Sequence, residues 1–350
     1  MGKIKIQLQC PMPKLDFDII TLGHGSGGLL TQKLLESGVF DLLRNEHLDK
    51  RHDGAVLTVS GKMAFTTDSF VISPIFFAGG NIGELAVNGT VNDLAMCGAT
   101  PQYLSLSFII EEGLKMTEFW EVLVGIKNAA EKAGVQIVTG DTKVVEKGKG
   151  DKIFINTTGL GKVHKKAHIA VDSIKTGDKI IISGDVATHG IAIMSQRQGL
   201  EFETDIVSDT RPLNHIVKKL LNTFGENIHV LRDPTRGGVA TVLKELAVQA
   251  QCGMMIEDKA IPMNDSVEGA CEMLGLDPLY VANEGIFISI VAASVADAYL
   301  EMLHKLPDCE KASCIGTVIS TPVGQVLLKS SIGGTRVLNL LPGELLPRIC

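Results

Sequence analysis

No run of lysine or arginine occurs in this chain of 350 residues, and its formal net charge is −7. A nucleic-acid partner is thereby excluded, because neutralising a phosphate backbone takes a basic face. Any anionic substrate must be held by local donors or a metal ion. Long apolar runs are missing too. Nothing approaches a membrane span, and residues 1–12 carry two lysines without the apolar core of a secretory signal. A cytoplasmic protein with no membrane partner is expected. The seven cysteines (Cys10, Cys97, Cys252, Cys271, Cys309, Cys314, Cys350) contain no CxxC pair, and no histidine cluster completes a zinc site around Cys309 and Cys314. The six internal thiols are expected to be reduced and mostly buried. Neither a fixed-period repeat nor a GxxxxGK(S/T) loop is present, which excludes a solenoid and a P-loop.

The chain has length for two domains, and its 45% hydrophobic and 21% charged content is that of a globular protein. Residues 55–59 and 63–67 read as strands of a hairpin turning at Ser60-Gly61-Lys62. Val87, Val91, Leu94 and Ala95 at helical spacing predict a helix over about 82–97, ended by Gly98 and Pro101. A strand at 103–110, a helix from Thr117 to Gly134, and strands at 135–139 and 153–159 complete an α+β half with antiparallel character. After a crossing near 170 the pattern restarts. Strands are expected at 179–183, 285–291, 313–319 and 325–329, with helices at 188–198, 212–224, 237–250 and 295–306. The fold class is α/β (α+β) with two sandwich-like halves: 16–170 and 171–341, flanked by an extension (1–15) and a tail (342–350).

Gly23-His24-Gly25-Ser26-Gly27-Gly28 matches G-x-G-x-x-G, but a hairpin rather than a parallel strand is predicted to follow its helix, which disfavours a dinucleotide unit. A mobile loop whose backbone N–H groups close on phosphates is the better reading, with His24 either solvated or catalytic. Acids end regular elements at Asp53, Asp68, Asp93 and Asp141. Singly each reads as a cap or turn residue; as a set they suit Mg²⁺, which takes oxygen ligands and bridges nucleotide phosphates. Arg232-Asp233-Pro234-Thr235-Arg236-Gly237-Gly238 opens a helix, either as an anion site or as a plain N-cap. Glu284 ends an apolar run, either as a desolvated base or as a turn residue. The chain stops on Cys350 after Pro347, where the thiol is either an accident of a frayed end or a group that carries cargo between sites.

The segments His24-Gly25-Ser26-Gly27-Gly28, Thr66-Thr67-Asp68-Ser69-Phe70, Gly89-Thr90-Val91-Asn92-Asp93-Leu94-Ala95, Gly140-Asp141-Thr142-Lys143, Arg232 to Gly238, Ala282-Asn283-Glu284-Gly285 and Pro347-Arg348-Ile349-Cys350 together resemble the hydrogenase-maturation carbamoyl dehydratases of the PurM-like ATP-binding superfamily. The resemblance covers nearly the whole chain. It implies a homodimer whose N-terminal domains (16–170) pair into a β-barrel beside the ATP site, a C-terminal PurM-like domain (171–341), and a flexible tail. It implies ATP and Mg²⁺ as cofactors. Gly25, Ser26, Gly27, Gly28, Thr67, Asp68, Asn92, Asp93, Asp141, Thr142, Asp233, Thr235 and Arg236 would hold nucleotide, and Asp53, Asp68, Asp93 and Asp141 the metal. Cys350, Glu284 and Lys143 would be catalytic. A HypF carbamoyltransferase would load Cys350, the chain would dehydrate the carbamoyl group to thiocyanate, and a HypC–HypD complex would receive cyanide. Asn81 stands where an acid is expected in relatives. Another PurM-type synthetase, or a nucleotide-binding thiol carrier without turnover, is the alternative.

Overall fold

The computed structural model describes residues 17–199, 206–330, 333–341 and 348–349. The extension at 1–15, most of the tail and Cys350 lie outside them. The first half runs α1 (Leu29–Leu34), β1 (Met63–Phe70), a short ribbon of β2 (Phe76–Phe77) and β3 (Gly80–Asn81), α2 (Ile82–Met96), β4 (Ala99–Glu111), α3 (Met116–Ala133), β5 (Gln136–Val145) and β6 (Ile153–Val163). Its sheet has the order β1-β6-β4-β5, antiparallel except for the β4/β5 pair. That parallel pair requires a crossover, which α3 supplies.

α2 begins at Asn81, whose Oδ1 accepts from the amides of Gly83 (2.8 Å) and Glu84 (3.3 Å). Asparagine is among the residues favoured at an N-cap. α2 ends at Gly98 in the left-handed region (φ 70°). Val87, Val91 and Leu94 are wholly buried, each burial stabilising by about 1.5–3 kcal/mol. α3 packs beside α2 and stops at Gly134, whose left-handed conformation (φ 72°) returns its N–H to the last turn. Together they cover one face of the sheet. The other face is open, with Phe65 72% exposed and Ile109 47%.

One expectation fails here. Residues 55–60 are irregular rather than a strand: β1 takes β6 as its partner on one side, and no strand among the described residues pairs along the other. Among the described residues the sheet of a single chain is not closed into a barrel. The sheet is open, with β1 and β5 as edges.

The second half contains β7 (Lys179–Ile182), α4 (Thr188–Gln198), α5 (Asn214–Phe224), β8 (Ile228–Arg232), α6 (Gly238–Gln249), β9 (Gly253–Glu257), α7 (Asp265–Leu274), β10 (Ile288–Val291), α8 (Ala296–Leu303), β11 (Ser313–Ile319), β12 (Val326–Lys329) and β13 (Thr335–Leu338). Its seven strands are ordered β13-β12-β9-β11-β7-β10-β8, all antiparallel but β9/β12. Every residue of β10 is buried, as a central strand covered on both faces demands. α6 and α7 build one core on this sheet, and α5 and α8 the other. Ala95 and Met96 at the end of α2 join the second of these cores, which brings α2's last turn between the halves. Among the described residues no helix is long and apolar enough to cross a membrane. Of the described cysteines, Cys252, Cys271 and Cys309 are buried, Cys314 is half-buried, and Cys97 is exposed.

Candidate active site

An acidic cluster gathers where the halves meet. Asp68 comes from β1, Asp93 from α2's last turn, Asp233 from the turn after β8, and Glu284 from the segment before β10. Thr66 Oγ1 donates to Asp93 Oδ2 at 2.8 Å. Asn283 ties the Asp233 turn to Glu284, its Nδ2 donating to Pro234 O (2.8 Å) while Oδ1 accepts from Ala187 N (2.7 Å). Asp209 accepts from the backbone amides of Glu284 (3.1 Å) and Gly285 (3.0 Å). A Cβ at position 285 would lie 1.7 Å from Asp209 O, so only glycine admits this approach. Glu284 is buried, and its Oε1 has no hydrogen-bond partner among the described residues.

The charges repel one another, and burial raises the cost of each. Burial first, then Asp209, Asp233, Asp68 and Asp93, push the Glu284 carboxyl well above its usual range. Burial beside Asp93 pushes Asp233 up to about 7. Asp68 and Asp93 are raised mainly by burial, and the guanidinium of exposed Arg236 offsets part of the rise in both. Structure alone does not explain Asp93, since an anion in a helix's last turn opposes the helix dipole. Convergent, mutually repelling carboxylates with an orphaned oxygen suit a hard divalent cation. Among the described residues no three such groups already sit at ligand spacing, so a cation would have to draw them in.

A pH prediction follows from these raised carboxyls. Folded, they keep protons that the unfolded chain releases between its ordinary carboxylate pKa and about 7, so stability falls as pH rises through that window. The melting temperature of metal-free protein is expected to drop between pH 4.5 and 7.5, with Mg²⁺ restoring it most at the upper end. A flat profile would remove the mutual repulsion. Asp93→Asn, which keeps the acceptor for Thr66, is expected to maintain or raise the melting temperature. It should weaken Mg-ATP binding by at least roughly tenfold, the loss seen even for groups one step removed from a metal. Calorimetric titration beside a melting curve reads both; unchanged affinity with lower stability would make Asp93 a structural residue.

The other predicted acids stand apart. Register sets Asp68 level with Thr157 and Leu106, and Asp141 level with Ser107 and Asn156. Adjacent rows alternate faces, so Asp68 and Asp141 occupy opposite faces of the sheet, three strand spacings or about 14 Å apart. Asp141 instead grips Lys143 with both oxygens (2.6 and 2.7 Å), which lowers its pKa. Thr142 N also donates to Asp141. Asp53 is exposed, and among the described residues no hydrogen bond or ion pair joins it to the cluster.

Asp141 and Lys143 line a largely apolar cleft of about 190 Å³ with Gly25, Gly27, Thr31 and Leu43. Gly25 lies so close to β5 that a Cβ would meet Val144 N at 2.4 Å. Gly27 N is held by Thr31 Oγ1 (3.0 Å), Ser26 Oγ by Gly23 O (3.0 Å), and Gly28 serves as N-cap of α1. His24 is buried rather than solvated. Its Nδ1 accepts from Thr21 N at 3.0 Å, and burial lowers its pKa.

Thr67 bonds to Thr157 O and Thr158 Oγ1. Asn92 joins the halves, donating to Arg211 O (3.0 Å) and Glu284 O (3.3 Å) and accepting from Leu213 N (2.8 Å). At the start of α6 neither Asp233 nor Thr235 caps by side chain; Gly237 is the N-cap (φ 74°). Cys350 lies outside the described residues, but Arg348 and Ile349 just before it are seated on the body. Arg348 Nη1 pairs with Asp151 (2.5 Å), its Nε donates to Val71 O (2.9 Å), and its carbonyl accepts from Ser73 N and Arg197. Ile349 is 3% exposed and belongs to the first half's core with Ala282.

Residues 51–163 match the N-terminal domain model of AIR synthase related proteins, and residues 175–329 the C-terminal one. A carbamoyl dehydratase HypE from Rhizobium leguminosarum bv. viciae is 46% identical over 332 residues, 95% of each chain. This chain belongs to the HypE family. Carbamoyl dehydratases are enzymes, and the PurM-like two-domain α/β fold agrees. A crystal structure of the hydrogenase maturation protein HypE in complex with ATP superposes with a TM-score of 0.91 at 47% identity, covering 94% of this chain and 99% of that one. A HypE–HypF complex aligns with a TM-score of 0.78 at 42% identity, covering 90% and 100%. Asp209 and Arg197 organise the site through backbone groups of other segments, and no motif marks them in the sequence. Asn283 sat inside a recognised motif, but Asp209 is a single acid in a loop with no pattern around it.

Proposed function

We propose that this chain uses ATP to dehydrate an S-carbamoyl group on Cys350 to thiocyanate, as a source of cyanide for the iron of [NiFe] hydrogenase. The observation that carries the reading is the seating of Ile349, just before that thiol, on His189 of α4, a helix whose start is bonded through Ala187 and Gly190 to the segment that holds a buried carboxyl with a free oxygen. An amide-like carbamoyl group, S–C(=O)–NH₂, cannot expel hydroxide. Transfer of the γ-phosphoryl of ATP to the carbamoyl oxygen forms a P–O bond there, breaks the bond to ADP, and makes phosphate the leaving group. Two protons then leave nitrogen and the C–O bond breaks, yielding S–C≡N.

Glu284 takes a nitrogen proton. Its desolvated carboxylate is a stronger base than a solvated one, and nearby Asp209 holds its backbone in place. Asp68, Asp93 and Asp233 would hold Mg²⁺, whose charge offsets that of the transferring phosphoryl group and favours the ionised form of Glu284. The cleft beside the glycine loop suits an adenine, with Lys143 at its rim to meet phosphates. Two copies would pair through the unpaired edge of β1 and the open sheet face, where Phe65 and Val56 are exposed. HypF would donate the carbamoyl group and a HypC–HypD complex accept the cyanide. The test is intact mass of the protein carbamoylated on Cys350, before and after ATP. Loss of one water from that adduct is expected. An adduct that keeps its oxygen while ATP is bound would favour a carrier.

A further inference from the structure

His189, in the first turn of α4, is wholly shut from solvent. Its Nε2 lies 2.9 Å from the carbonyl oxygen of Ile349, and its Nδ1 2.7 Å from Ser208 Oγ. A carbonyl can only accept, so the proton is on Nε2. In the neutral ring Nδ1 then accepts from the serine hydroxyl, fixing tautomer and ring plane together. Burial lowers the His189 pKa, which keeps the ring neutral. Phe77 meets the ring edge-on at 5.7 Å.

The surroundings of His189 join it to the chemistry. The next residue, Gly190, donates its amide to Ala282 O at 3.0 Å, and Ala187 N is held by Asn283 Oδ1. The first turn of α4 is therefore bonded on both sides of His189 to the segment that delivers Glu284. Ser208, which orients the ring, directly precedes Asp209, which caps the amides of Glu284 and Gly285. The histidine holds the last peptide carbonyl before Cys350, whose Cα follows that of Ile349 by about 3.8 Å.

We propose that His189 is a positioning residue that registers the C-terminal tail against Glu284 by donating from Nε2 to the Ile349 carbonyl. The inference rests on Cys350 being the reacting thiol, and its test separates the two. His189→Leu fills the space without a donor, whereas His189→Gln places an amide N–H near the Nε2 position.

In unmodified protein, the rate of Cys350 alkylation by iodoacetamide, followed by mass, reads the seat whatever reaction the protein performs. It is expected to rise several-fold in His189→Leu and return to within threefold of wild type in His189→Gln. In carbamoylated protein, single-turnover water loss after ATP addition is expected to slow roughly 10- to 100-fold in His189→Leu, the loss set by one buried hydrogen bond and its orphaned partner, and to recover in His189→Gln. ATP affinity should be unchanged in both. Equal alkylation rates in wild type and His189→Leu would overturn the proposal, as would a glutamine variant no better than leucine. If wild type itself keeps the carbamoyl oxygen, the dehydratase reading fails while the alkylation rates still decide the seat. Should His189→Leu not fold, Ser208→Ala, which frees the ring to turn, is expected to raise alkylation by a smaller factor, and no rise would overturn the proposal.

Discussion

Glu284→Gln is expected to fold, bind ATP and accept a carbamoyl group on Cys350, yet to lose water from that adduct about 10² to 10⁴ times more slowly, the range for removing a general base. The amide has the same shape and an acceptor oxygen but cannot take a proton. It also ends the repulsion that Asp209, Asp233, Asp68 and Asp93 exert on this position, so the variant should melt at or above the wild-type temperature in metal-free buffer near pH 7. That pairing of a slower reaction with an unharmed fold distinguishes a base from a packing residue. Mass spectra of the carbamoylated variant after ATP addition read the first effect and a melting curve the second. Wild-type water loss would take Glu284 out of the mechanism.

A larger effect is expected from Cys350→Ala. Carbamoyl adduct formation should vanish while ATP affinity stays near wild type, because on the proposed reading the thiol carries the carbamoyl group while the acids and the glycine loop hold the nucleotide. Six other cysteines make the experiment informative. Cys252, Cys271 and Cys309 are buried, and burial raises their thiol pKa values, so none is a ready nucleophile. Exposed Cys97 is the residue to watch, although burial of its sulfur environment and the nearby Asp93 and Asp233 charges raise its pKa as well. An adduct that survives in Cys350→Ala and maps to Cys97 would overturn the assignment of the carrier thiol.

What was legible in the sequence was whatever depends on near neighbours. The spacing of Val87, Val91 and Leu94 with Gly98 behind it marked α2, and Gly134 marked the end of α3. Strands β8, β9 and β13 and helix α7 were missed: β8 and β9 are short buried runs between longer helices, where periodicity cannot tell a strand from a helix end. Residues 55–59 carried a strand-like composition, but a strand needs a neighbour, and the described residues supply none on that side of β1. The site divided along the same line. Single acids were visible, yet their grouping depends on register, and one row's difference puts Asp68 and Asp141 on opposite faces. Asp93 and Asp233, 140 positions apart in sequence, come together only through the packing of α2 between the halves. Asp209 and His189 act through backbone groups of other segments, a role that leaves no local pattern.

The hold on Arg348 and Ile349 is built from several separate contributions. The ion pair of Arg348 with Asp151 adds little, being partly exposed on both sides (39% and 41%), and such pairs contribute about 0–1 kcal/mol. Burying the isoleucine contributes about 1.5–3 kcal/mol, beside the hydrogen bonds that Arg348 and Ile349 make to Val71, Ser73 and His189. On the proposed reading, those contacts break each time Cys350 is loaded by HypF or delivers cyanide. Loading and delivery would then compete with docking in the seat that His189 builds.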